Sequence, residues 1–586
     1  MKRFVICISV LLCAISCQKN DNPQRKKDAA DLVVYGKVFT SENDTPVEAF
    51  AVKDGKYVYA GDRKGAEAYI KDGKTEVLDY TGKGLVMPSC GNGHAHYLMA
   101  FNTNTIGLSF KEDDTVEKVL AAVKAAAEKP ETKVIYGFGW NYHVFNSAGV
   151  FNATAVPIIQ KLDEICPDIP VYLNDSEGHK GLVNTACLKA AGILDKDGKY
   201  SGNGKEIRGG DICLADGKPT GLLQEQAGTY VRFKGLDFST VLTVETAKKD
   251  ILASQDKLLK EGYTMYLDGW SNYFNDTAYD ALLELEASGE LKSNIGLSYE
   301  IESWCENLDG EIDKAADYMQ KFAGARLAKA NWIKLFMDGT VETGTGFCTQ
   351  PYPDESKGYG IANWEQEEVN GITGKANGLG LSMHIHTMGD AAVKRAVDAF
   401  AGFGSKELRN TIVHVRNVDA PDYAKIAAND IYVTSGILWH HFNTILGLLV
   451  WMIVPENLSV GSYPIKSFFD NGITVSSSTD YPALANSPDD PFGVMEIAVT
   501  GIDGNYAEDE LLPWWPEELI SREQALKVLT INCAKQMFLD EERGSIKEGK
   551  YADFILVDKD VLSCDVNTIH EAKVTATYFE GEKVYP

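Results

Sequence analysis

The sequence predicts an α/β fold: a (β/α)8 barrel with a small β-sandwich domain built from both chain termini and a large insertion after the first barrel strand. Three observations lead to this prediction. Short apolar strands alternate with longer amphipathic segments through the middle of the chain, as in parallel α/β proteins. Eight such strands can be counted, which is the number that closes a barrel. Both ends of the chain carry alternating strand patterns around tight turns instead.

The first residues are interpreted as a leader and not as part of the fold. A basic start precedes the apolar run Phe4–Ile15, which is too short to span a membrane as a mature helix and is typical of a cleaved signal peptide. Ala14–Cys17 resembles a bacterial lipobox, so residues 1–17 are predicted to direct export and Cys17 to carry lipid. Ordinary signal cleavage without lipid is the alternative. Residues 18–28 are predicted to form a polar tether.

The mature chain is divided into a composite β-domain and a barrel. Residues 29–84 and 540–586 are predicted to form the β-domain, and residues 85–539 the barrel. Residues 108–245 interrupt the barrel as an inserted lobe, placed where it can cover the barrel mouth. The predicted barrel strands are Leu85–Ser89, Tyr263–Asp268, Asn294–Glu300, Trp332–Met337, Leu381–His386, Thr411–Val415, Ile431–Ser435 and Thr474–Ser478.

Charge and cysteine content exclude two classes of site. The formal net charge of −27 offers no basic patch for phosphate neutralisation, which argues against a nucleic-acid partner. The 11 cysteines contain no CxxC pair, so neither a disulfide framework nor a thiolate zinc site is indicated.

Histidines follow the first predicted barrel strand in a metal-ligand spacing. His94 and His96 are two residues apart in an extended segment, so both imidazoles point the same way and can bind one ion. His384 and His386 likewise share a face of a later strand, and the pattern alone does not decide between them. All lie at the C-terminal ends of strands, where barrel active sites are assembled.

Three more titratable side chains follow other strand ends. Lys334 lies in an apolar strand, where a cation is costly to bury. It either reaches solvent along its aliphatic stem or is carbamylated, as an anion that bridges two metals. His414 lies late in the strand that follows the one with His384 and His386, and Asp480 follows the last strand. Any one of these residues taken alone is more often a core residue than a metal ligand, but so many of them at successive strand ends indicate a metal site.

Several segments match a set of motifs in order. They are Pro88–His96 (P-G-x-x-D-x-H-x-H), Gly137–Asn141 (G-x-G-W-D), Gly178–Asn184 (G-H-x-x-x-x-N), Pro219–Leu223 (P-T-G-V-L), Lys334–Gly339 (V-K-x-x-x-D-G), His386–Asp390 (H-A-I-G-D), Thr479–Pro482 (S-D-x-P) and Arg543–Asp553 (G-S-I-x-x-G-K-x-A-D). In these the chain resembles the amidohydrolase superfamily, and within it the branch that includes N-substituted formamide deformylases. The resemblance extends from about residue 30 to the C-terminus.

The resemblance implies a metal centre and a reaction. It favours His386 over His384 as a ligand. His94, His96 and Asp480 would hold one divalent ion, and His386 and His414 a second, with carbamylated Lys334 between them. The donor set suits Zn²⁺, with iron, manganese and nickel as alternatives, and one or two ions are compatible with it.

The implied reaction is cleavage of an amide, N-formyl or cyclic amide C–N bond by metal-activated water. Asp480 would take the proton and deliver it to the departing nitrogen. His179, from the inserted lobe, would stabilise the tetrahedral intermediate or orient substrate, or else pack within the lobe. Trp140 and His440 are predicted to contact substrate, with a core position for Trp140 and a solvent position for His440 as alternatives.

The chain departs from the pattern at Asn92, where the family has aspartate, and at Ser89, where it has glycine.

Two other functions are weighed. One is a deaminase of the same superfamily, which the lysine in the fourth predicted strand, Lys334, disfavours. The other is a surface lipoprotein that binds a ligand without catalysis. We expect a small-molecule substrate, no nucleic acid, and membrane contact through the lipid anchor alone. The expected location is the cell envelope, in the periplasm or anchored to the outer membrane. A homodimer is compatible with these expectations.

Overall fold

The computed structural model describes residues 28–111, 113–147, 157–176, 178–200, 202, 207–441, 452–459, 462–482, 490–506 and 513–586. The predicted signal peptide with Cys17, and all but the last residue of the predicted tether, lie outside these residues. Within the described ranges, no helix combines the length and the apolar character that crossing a bilayer requires.

Strands from both ends of the chain form one sheet. Their order is β22-β21-β20-β5-β1-β2-β3, with β4 also paired to β1. Where the sequence predicts a small β-sandwich, the structure has a single continuous eight-stranded sheet. Its side chains form two hydrophobic clusters of their own. The strands are β1 Leu32–Val38, β2 Val47–Lys53, β3 Lys56–Gly61, β4 Glu76–Asp79, β5 Leu85–Pro88, β20 Phe554–Val557, β21 Val574–Phe579 and β22 Glu582–Tyr585.

The central sheet confirms the predicted (β/α)8 barrel. Eight parallel strands follow one another in the order β19-β18-β17-β16-β15-β14-β13-β6. Just beyond the last strand, the backbone N–H of Asp480 donates to the His94 carbonyl at 3.1 Å and so brings the two edges together. The strands are β6 Cys90–Ala95, β13 Tyr263–Asp268, β14 Asn294–Glu300, β15 Ala328–Phe336, β16 Ser382–Thr387, β17 Thr411–His414, β18 Tyr432–Ser435 and β19 Val475–Ser477.

The prediction of the first barrel strand, Leu85–Ser89, is wrong. Leu85–Pro88 lies in the terminal sheet, antiparallel to Phe554–Val557, and the barrel begins at Cys90 instead. The sequence C-G-N-G-H-A has low strand propensity, but the site demands glycine. A Cβ on Gly91 would lie 2.6 Å from the Cβ of Cys533, and one on Gly93 would lie 2.3 Å from Oε1 of Gln536. Close packing, which propensity does not report, therefore selects these residues.

The inserted lobe has its own six-stranded sheet, in the order β11-β12-β10-β9-β8-β7. Its strands are β7 Gly107–Ser109, β8 Ile135–Trp140, β9 Val171–Asp175, β10 Lys180–Val183, β11 Gly210–Ala215 and β12 Lys218–Glu225. Its helices are α3 Val116–Ala127, α4 Tyr142–Ser147, α5 Ile158–Ile165, α6 Thr185–Ala190 and α7 Gln226–Gly235. The lobe joins β6 to β13, so its strand ends can face the barrel mouth.

The other described helices pack around the two larger sheets. Most of them bury an apolar face against the barrel strands in the largest hydrophobic cluster. They are α1 Arg63–Glu67, α2 Tyr97–Ile106, α8 Val244–Glu261, α9 Thr277–Ser288, α10 Leu308–Lys321, α11 Gln366–Gly378, α12 Asp390–Phe403, α13 Ala420–Ala428, α14 Glu456–Ser459, α15 Ile465–Asp470, α16 Pro491–Thr500, α17 Arg522–Leu529 and α18 Ile531–Gln536.

Candidate metal centre

Three predicted ligands meet at the C-terminal end of the barrel. One ligand atom each from His94, His96 and Asp480 lies within 4.8 Å of the other two. Oδ1 of Asp480 is 3.2 Å from Nε2 of His94 and 3.1 Å from Nε2 of His96. Residues that are far apart in the sequence therefore present two imidazoles and one carboxylate to a common point, which is a donor set typical of a divalent ion.

Lys334, His386 and His414 lie beside this group. The ring centroids of His386 and His414 are 4.5 Å apart, and those of His94 and His414 are 5.1 Å apart. Nε2 of His386 donates to the Gly339 carbonyl at 3.3 Å, which leaves Nδ1 as the free nitrogen of that ring. The Nδ1 atoms of His386 and His414 and Nζ of Lys334 are buried without a hydrogen-bond partner among the residues that the structure describes.

His384 contacts the ring of His94. Nε2 of His384 and Nδ1 of His94 are 2.7 Å apart, so one ring donates to the other. This bond orients the His94 ring with Nε2 toward Asp480, which is the arrangement that supporting groups give to ligand histidines. His384 is thus a positioning residue toward His94, and His386 is the histidine of β16 that packs against His414.

Burial keeps the imidazoles neutral. Burial, together with the Lys334 charge, holds the pKa values of His94, His384 and His386 well below 6.5. Burial and the neighbouring His386 do the same to the pKa of His414. Each ring therefore retains a lone pair for coordination at neutral pH.

The two charged groups of the site respond to burial differently. Burial lowers the pKa of Lys334 to about 8, against the opposing attraction of Asp480. Burial by itself raises the pKa of Asp480, but His414 and His96 outweigh it and bring the value to about 2. Asp480 is therefore a carboxylate at every physiological pH, as a ligand or proton acceptor must be.

Two segments of the site adopt left-handed backbone. His414 and Val415 have φ values of 72° and 48°, and Asp480 has a φ of 51°. A β-branched residue in this region is strained by about 1–3 kcal/mol and persists only where surrounding contacts impose it. The N–H of Val415 donates to the Thr387 carbonyl at 3.0 Å, and this bond fixes the turn that aims His414 inward.

Asn92 ties the histidine strand to the aspartate strand. Its Nδ2 donates to Oγ1 of Thr479 at 2.6 Å, and its Oδ1 accepts from the N–H groups of His94 and Thr479 at 3.3 Å. The departure from the family's aspartate therefore keeps a bridge between the two ligand segments, now with an amide.

Asp338, in the loop after β15, organises the loop after β16. Its carboxylate accepts backbone N–H groups of Met388 at 3.0 Å, Gly389 at 2.7 Å and Phe347 at 2.9 Å. Burial nevertheless raises its pKa to about 8. Asp338 therefore positions the segment that follows His386.

The inserted lobe brings His179 to the metal centre. The His179 ring centroid is 5.8 Å from that of His386. Its Nδ1 is 2.7 Å from Oε2 of Glu225, whose other oxygen accepts Oγ1–H of Thr345 at 2.7 Å. Burial opposes the Glu225 charge, but His179 and these hydrogen bonds outweigh it and lower the pKa of Glu225.

Glu225 is a residue that the sequence analysis missed. It follows the P-T-G-L-L segment at the end of β12 and has a positive φ of 50°. Its position at a strand end was a signal, but its partner lies 46 residues away in the chain. Only the apposition of β10 and β12 brings the pair together.

Trp140 is not among the side chains that meet at the centre. It is fully buried in the lobe core with Phe145, and its Nε1 donates to the Leu173 carbonyl at 2.8 Å. The assignment to substrate binding is therefore replaced by the alternative, a core residue.

His440 is buried and not solvent-facing. Its ring centroid lies 5.3 Å from that of Tyr463, and its Nε2 has no hydrogen-bond partner in the described part of the chain. Trp439, the residue before it, packs against His414 with ring centroids 5.1 Å apart. His440 therefore lies one residue from the wall of the centre.

Comparison with known proteins places the chain in a family. The chain is 24% identical over 519 residues to an N-substituted formamide deformylase of Arthrobacter pascens, covering 86% of this chain and 89% of that protein. It is 26% identical over 576 residues to the protein LONG AFTER FAR-RED 3 of Arabidopsis thaliana, covering 95% and 91%.

Among solved structures, an uncharacterized metal-dependent hydrolase from Pyrococcus horikoshii superposes with a TM-score of 0.68 at 21% identity, over 91% of this chain and 99% of that one, which shows the shared fold. The sequence profile of the amidohydrolase family matches residues 76–585, nearly the whole described chain. With its barrel and its histidine-rich mouth, the chain belongs to the amidohydrolase family, hydrolases that act on carbon–nitrogen bonds.

Proposed function

We propose that this protein is a divalent-metal-dependent hydrolase that cleaves an amide, N-formyl or cyclic amide bond in a small molecule. The observation that carries the proposal is the set of buried ligand atoms at the barrel mouth. Nε2 of His94, Nδ1 of His386 and of His414, and Nζ of Lys334 all lack hydrogen-bond partners among the described residues. Buried polar atoms without partners are costly. A cation coordinated by the three imidazole nitrogens would remove that cost for the rings, and carbamylation of the lysine nitrogen would supply oxygen ligands in its place.

The residues fit one or two ions of the zinc class. His94, His96 and Asp480 would hold one ion. His386 and His414 would hold the other, with Lys334 between the two groups as a carbamate. Imidazole, carboxylate and carbamate are donors that Zn²⁺ accepts readily. When bound, such an ion polarises a carbonyl and lowers the pKa of water to about 7.

Asp480 is the proposed proton carrier. Its carboxylate faces both histidines of the H-x-H segment and keeps its charge because its pKa is about 2. It would take a proton from the attacking water and return it to the leaving nitrogen, so that no proton is gained or lost over the cycle.

His179 is the proposed donor to the carbonyl oxygen that becomes negative as the bond to water forms. Glu225 accepts from its Nδ1 and is the counter-ion of the imidazolium form, in which Nε2 also carries a proton and can donate toward the centre. A preorganised donor of this kind typically contributes about 3–4 kcal/mol to transition-state stabilisation.

A deaminase of the same superfamily is the second candidate. A 5-methylthioadenosine/S-adenosylhomocysteine deaminase of Thermoanaerobacter pseudethanolicus is 25% identical over 319 residues, though this covers only 54% of the chain. Lys334, buried at the end of the fourth barrel strand, favours the amide hydrolase, since a bridging carbamate serves two ions. Release of formate or of another carboxylate, with an amine and no free ammonia, distinguishes the two.

The test combines metal content with hydrolysis. We expect the purified protein to retain about one to two equivalents of a divalent ion by mass spectrometry, and to release benzylamine from N-formylbenzylamine or another N-acyl amine of a screen. Dipicolinate treatment should abolish activity, and Zn²⁺ or Mn²⁺ should restore it. Full activity after metal removal would contradict the proposal in favour of a metal-independent mechanism, and the absence of both bound metal and hydrolysis would favour a ligand-binding lipoprotein.

Asp480→Asn separates catalysis from metal binding. We expect this variant to keep most of its metal and to lose turnover by about 10³-fold or more, because the amide cannot accept the proton. Asp503→Asn, also a buried acid but not among the ligands, is the matched control. Unchanged turnover in Asp480→Asn would remove the proton carrier from the mechanism.

We further propose that the chain is exported and anchored by lipid at Cys17. Detergent phase partitioning and metabolic palmitate labelling test this, with Cys17→Ala as the comparison. Equal labelling of the two proteins would contradict the anchor.

A further inference from the structure

We propose that Glu300, Glu302, Arg232 and Trp270 form a second polar pocket beside the metal centre, which binds a cationic N–H group of the substrate, of the ammonium or amidinium class. The inference rests on the proposed hydrolase function, because it assigns a substrate class to the same site.

The barrel contributes buried carboxylates. Glu300 pairs in register with Lys334 on the neighbouring parallel strand, so both side chains point into the barrel. Glu300 is 2% exposed, and neither of its carboxylate oxygens has a hydrogen-bond partner in the described ranges. Glu302 accepts Oγ1–H of Thr229 at 3.3 Å through Oε2, and its Oε1 likewise has no described partner. Three buried acceptor oxygens at this strand end therefore have no hydrogen-bond partner among the described residues.

The inserted lobe contributes the opposite wall through α7. The guanidinium carbon of Arg232 lies 3.4 Å from the ring centroid of Tyr273 and 5.0 Å from that of Trp270, and its Nη1 donates to the Tyr273 carbonyl. Its Nη2 and Nε1 of Trp270 have no partner among the described residues. Two buried donors thus accompany the three acceptors.

Aromatic contacts connect this pocket to the metal centre. The ring of Phe336 lies 5.1 Å from that of Trp270 and 4.9 Å from that of His386. Nζ of Lys334 lies 4.4 Å from the Phe336 centroid. A substrate whose scissile bond lies near His386 would therefore extend along Phe336 toward Trp270.

The chemistry of the pocket selects a cation. It has two buried carboxyl groups and one guanidinium, and the guanidinium already donates to a carbonyl and packs on three rings. Burial raises the pKa values of both carboxyl groups, that of Glu302 to about 7, and a cationic ligand would hold them as carboxylates. Buried carboxylates without partners gain the most from a ligand that carries several N–H donors and a positive charge. The faces of Phe336 and Trp270 add cation–π attraction. An anionic group would lie against Glu300 and Glu302 and would be repelled.

Three probes of similar shape and different charge test the proposal: benzamidine, benzamide and benzoate. We expect calorimetric titration of the metal-loaded full chain to give a benzamidine Kd at least about tenfold below that of benzamide. Glu300→Gln and Glu302→Gln should each weaken benzamidine by about tenfold or more and change benzamide by less than about twofold. Glu311→Gln, whose carboxylate bonds to Tyr299 on the outer face of the same strand, should change neither.

Thermal unfolding of the same variants serves as the control for folding. Glutamine keeps the shape of the side chain and removes a carboxyl group whose ionisation burial disfavours, so both variants should melt at or above the temperature of the parent. Equal affinity for benzamidine and benzamide would overturn the proposal, and so would benzamidine binding that neither glutamine variant weakens. Tightest binding of benzoate, weakened by Arg232→Gln, would overturn it in favour of an anion pocket.

Metal content and hydrolysis of neutral N-formylbenzylamine are measured on the same preparations. Selective benzamidine binding without metal or hydrolysis would contradict the hydrolase proposal and leave the pocket intact. Hydrolysis without benzamidine selectivity would contradict the pocket alone.

Discussion

Glu225→Gln tests how the inserted lobe contributes to the chemistry. The carboxylate of Glu225 accepts from Nδ1 of His179 at 2.7 Å and from Oγ1 of Thr345 at 2.7 Å, in a buried position. Glutamine retains the shape and one acceptor oxygen but removes the charge. The imidazolium form of His179 thereby loses its counter-ion, while its orientation is largely kept.

The magnitude follows from the type of hydrogen bond that is lost. A bond to a charged group contributes about 1.5–3 kcal/mol, and a neutral one about 0.5–1.5 kcal/mol. The difference of about 1–2 kcal/mol, if expressed in the transition state, lowers kcat/KM by about 5- to 30-fold. We expect the loss mainly in kcat, because the donor to the developing oxyanion acts after substrate binding.

The assay is steady-state hydrolysis across pH, with metal content and thermal unfolding measured in parallel. Thr345→Val removes the second bond to Glu225 and leaves its charge, so it should cost less than Glu225→Gln. His179→Gln should cost at least as much as either. If Glu225→Gln retains parental kcat and pH profile, the lobe does not take part in the chemistry and His179 is a packing residue.

Three further predictions concern single side chains. His384→Gln should keep the metal content of the parent and lower kcat/KM by about 10- to 100-fold through misorientation of His94, whereas His386→Gln should lose metal. Equal metal loss in both variants would contradict the division between ligand and positioning residue. Trp140→Phe should lower the free energy of unfolding by about 1–3 kcal/mol, through the lost bond to Leu173, with KM unchanged; a raised KM would restore it to the substrate pocket. His440→Gln should reduce the loss of folding stability at acid pH. Burial lowers the pKa of His440 in the folded protein to about 3, so the unfolded chain, in which this pKa is near 6.5, binds the proton first. The free energy of unfolding of the parent therefore falls by about 1.4 kcal/mol per pH unit as pH drops from about 6.5 toward 3. Denaturant titrations at fixed metal, with parallel pH dependence in parent and variant as the contradicting result, check this last prediction.

The sequence predicted which side chains meet at the barrel mouth better than it predicted the surroundings of the site. His94, His96 and Asp480 lie at strand ends, and strand ends can be located because apolar runs are bounded by turns. Their convergence then follows from the barrel, since all C-terminal strand ends meet at one mouth. The strand that carries His94 begins later than the sequence predicts, because the apolar run Leu85–Pro88 has a stronger strand pattern than the glycine-rich segment after it.

The remaining features depend on contacts that no local pattern reports. Trp140 has an aromatic pattern compatible with a pocket or a core, and the hydrogen bond to Leu173 decides for the core. In the sequence alone, Glu225 and Glu300 are not distinguishable from other acidic residues at strand ends. Their significance comes from where the lobe lies on the barrel: Glu225 contacts His179 within the lobe, while Glu300 lies between Lys334 and α7. Packing of one segment on another, and not propensity, determines both.

The terminal sheet has a consequence for how the chain is made. β5 has β1 on one side and β20 on the other, and only Ser89 separates it from the strand that carries His94. During synthesis one edge of β5 stays open until Phe554–Val557 have left the ribosome, so the nascent protein exposes an unpaired strand edge for most of its translation. Loss of the last few dozen residues, by a premature stop or by proteolysis, would therefore remove the partner strand β20 from β5 and weaken the support of β6, which carries His94.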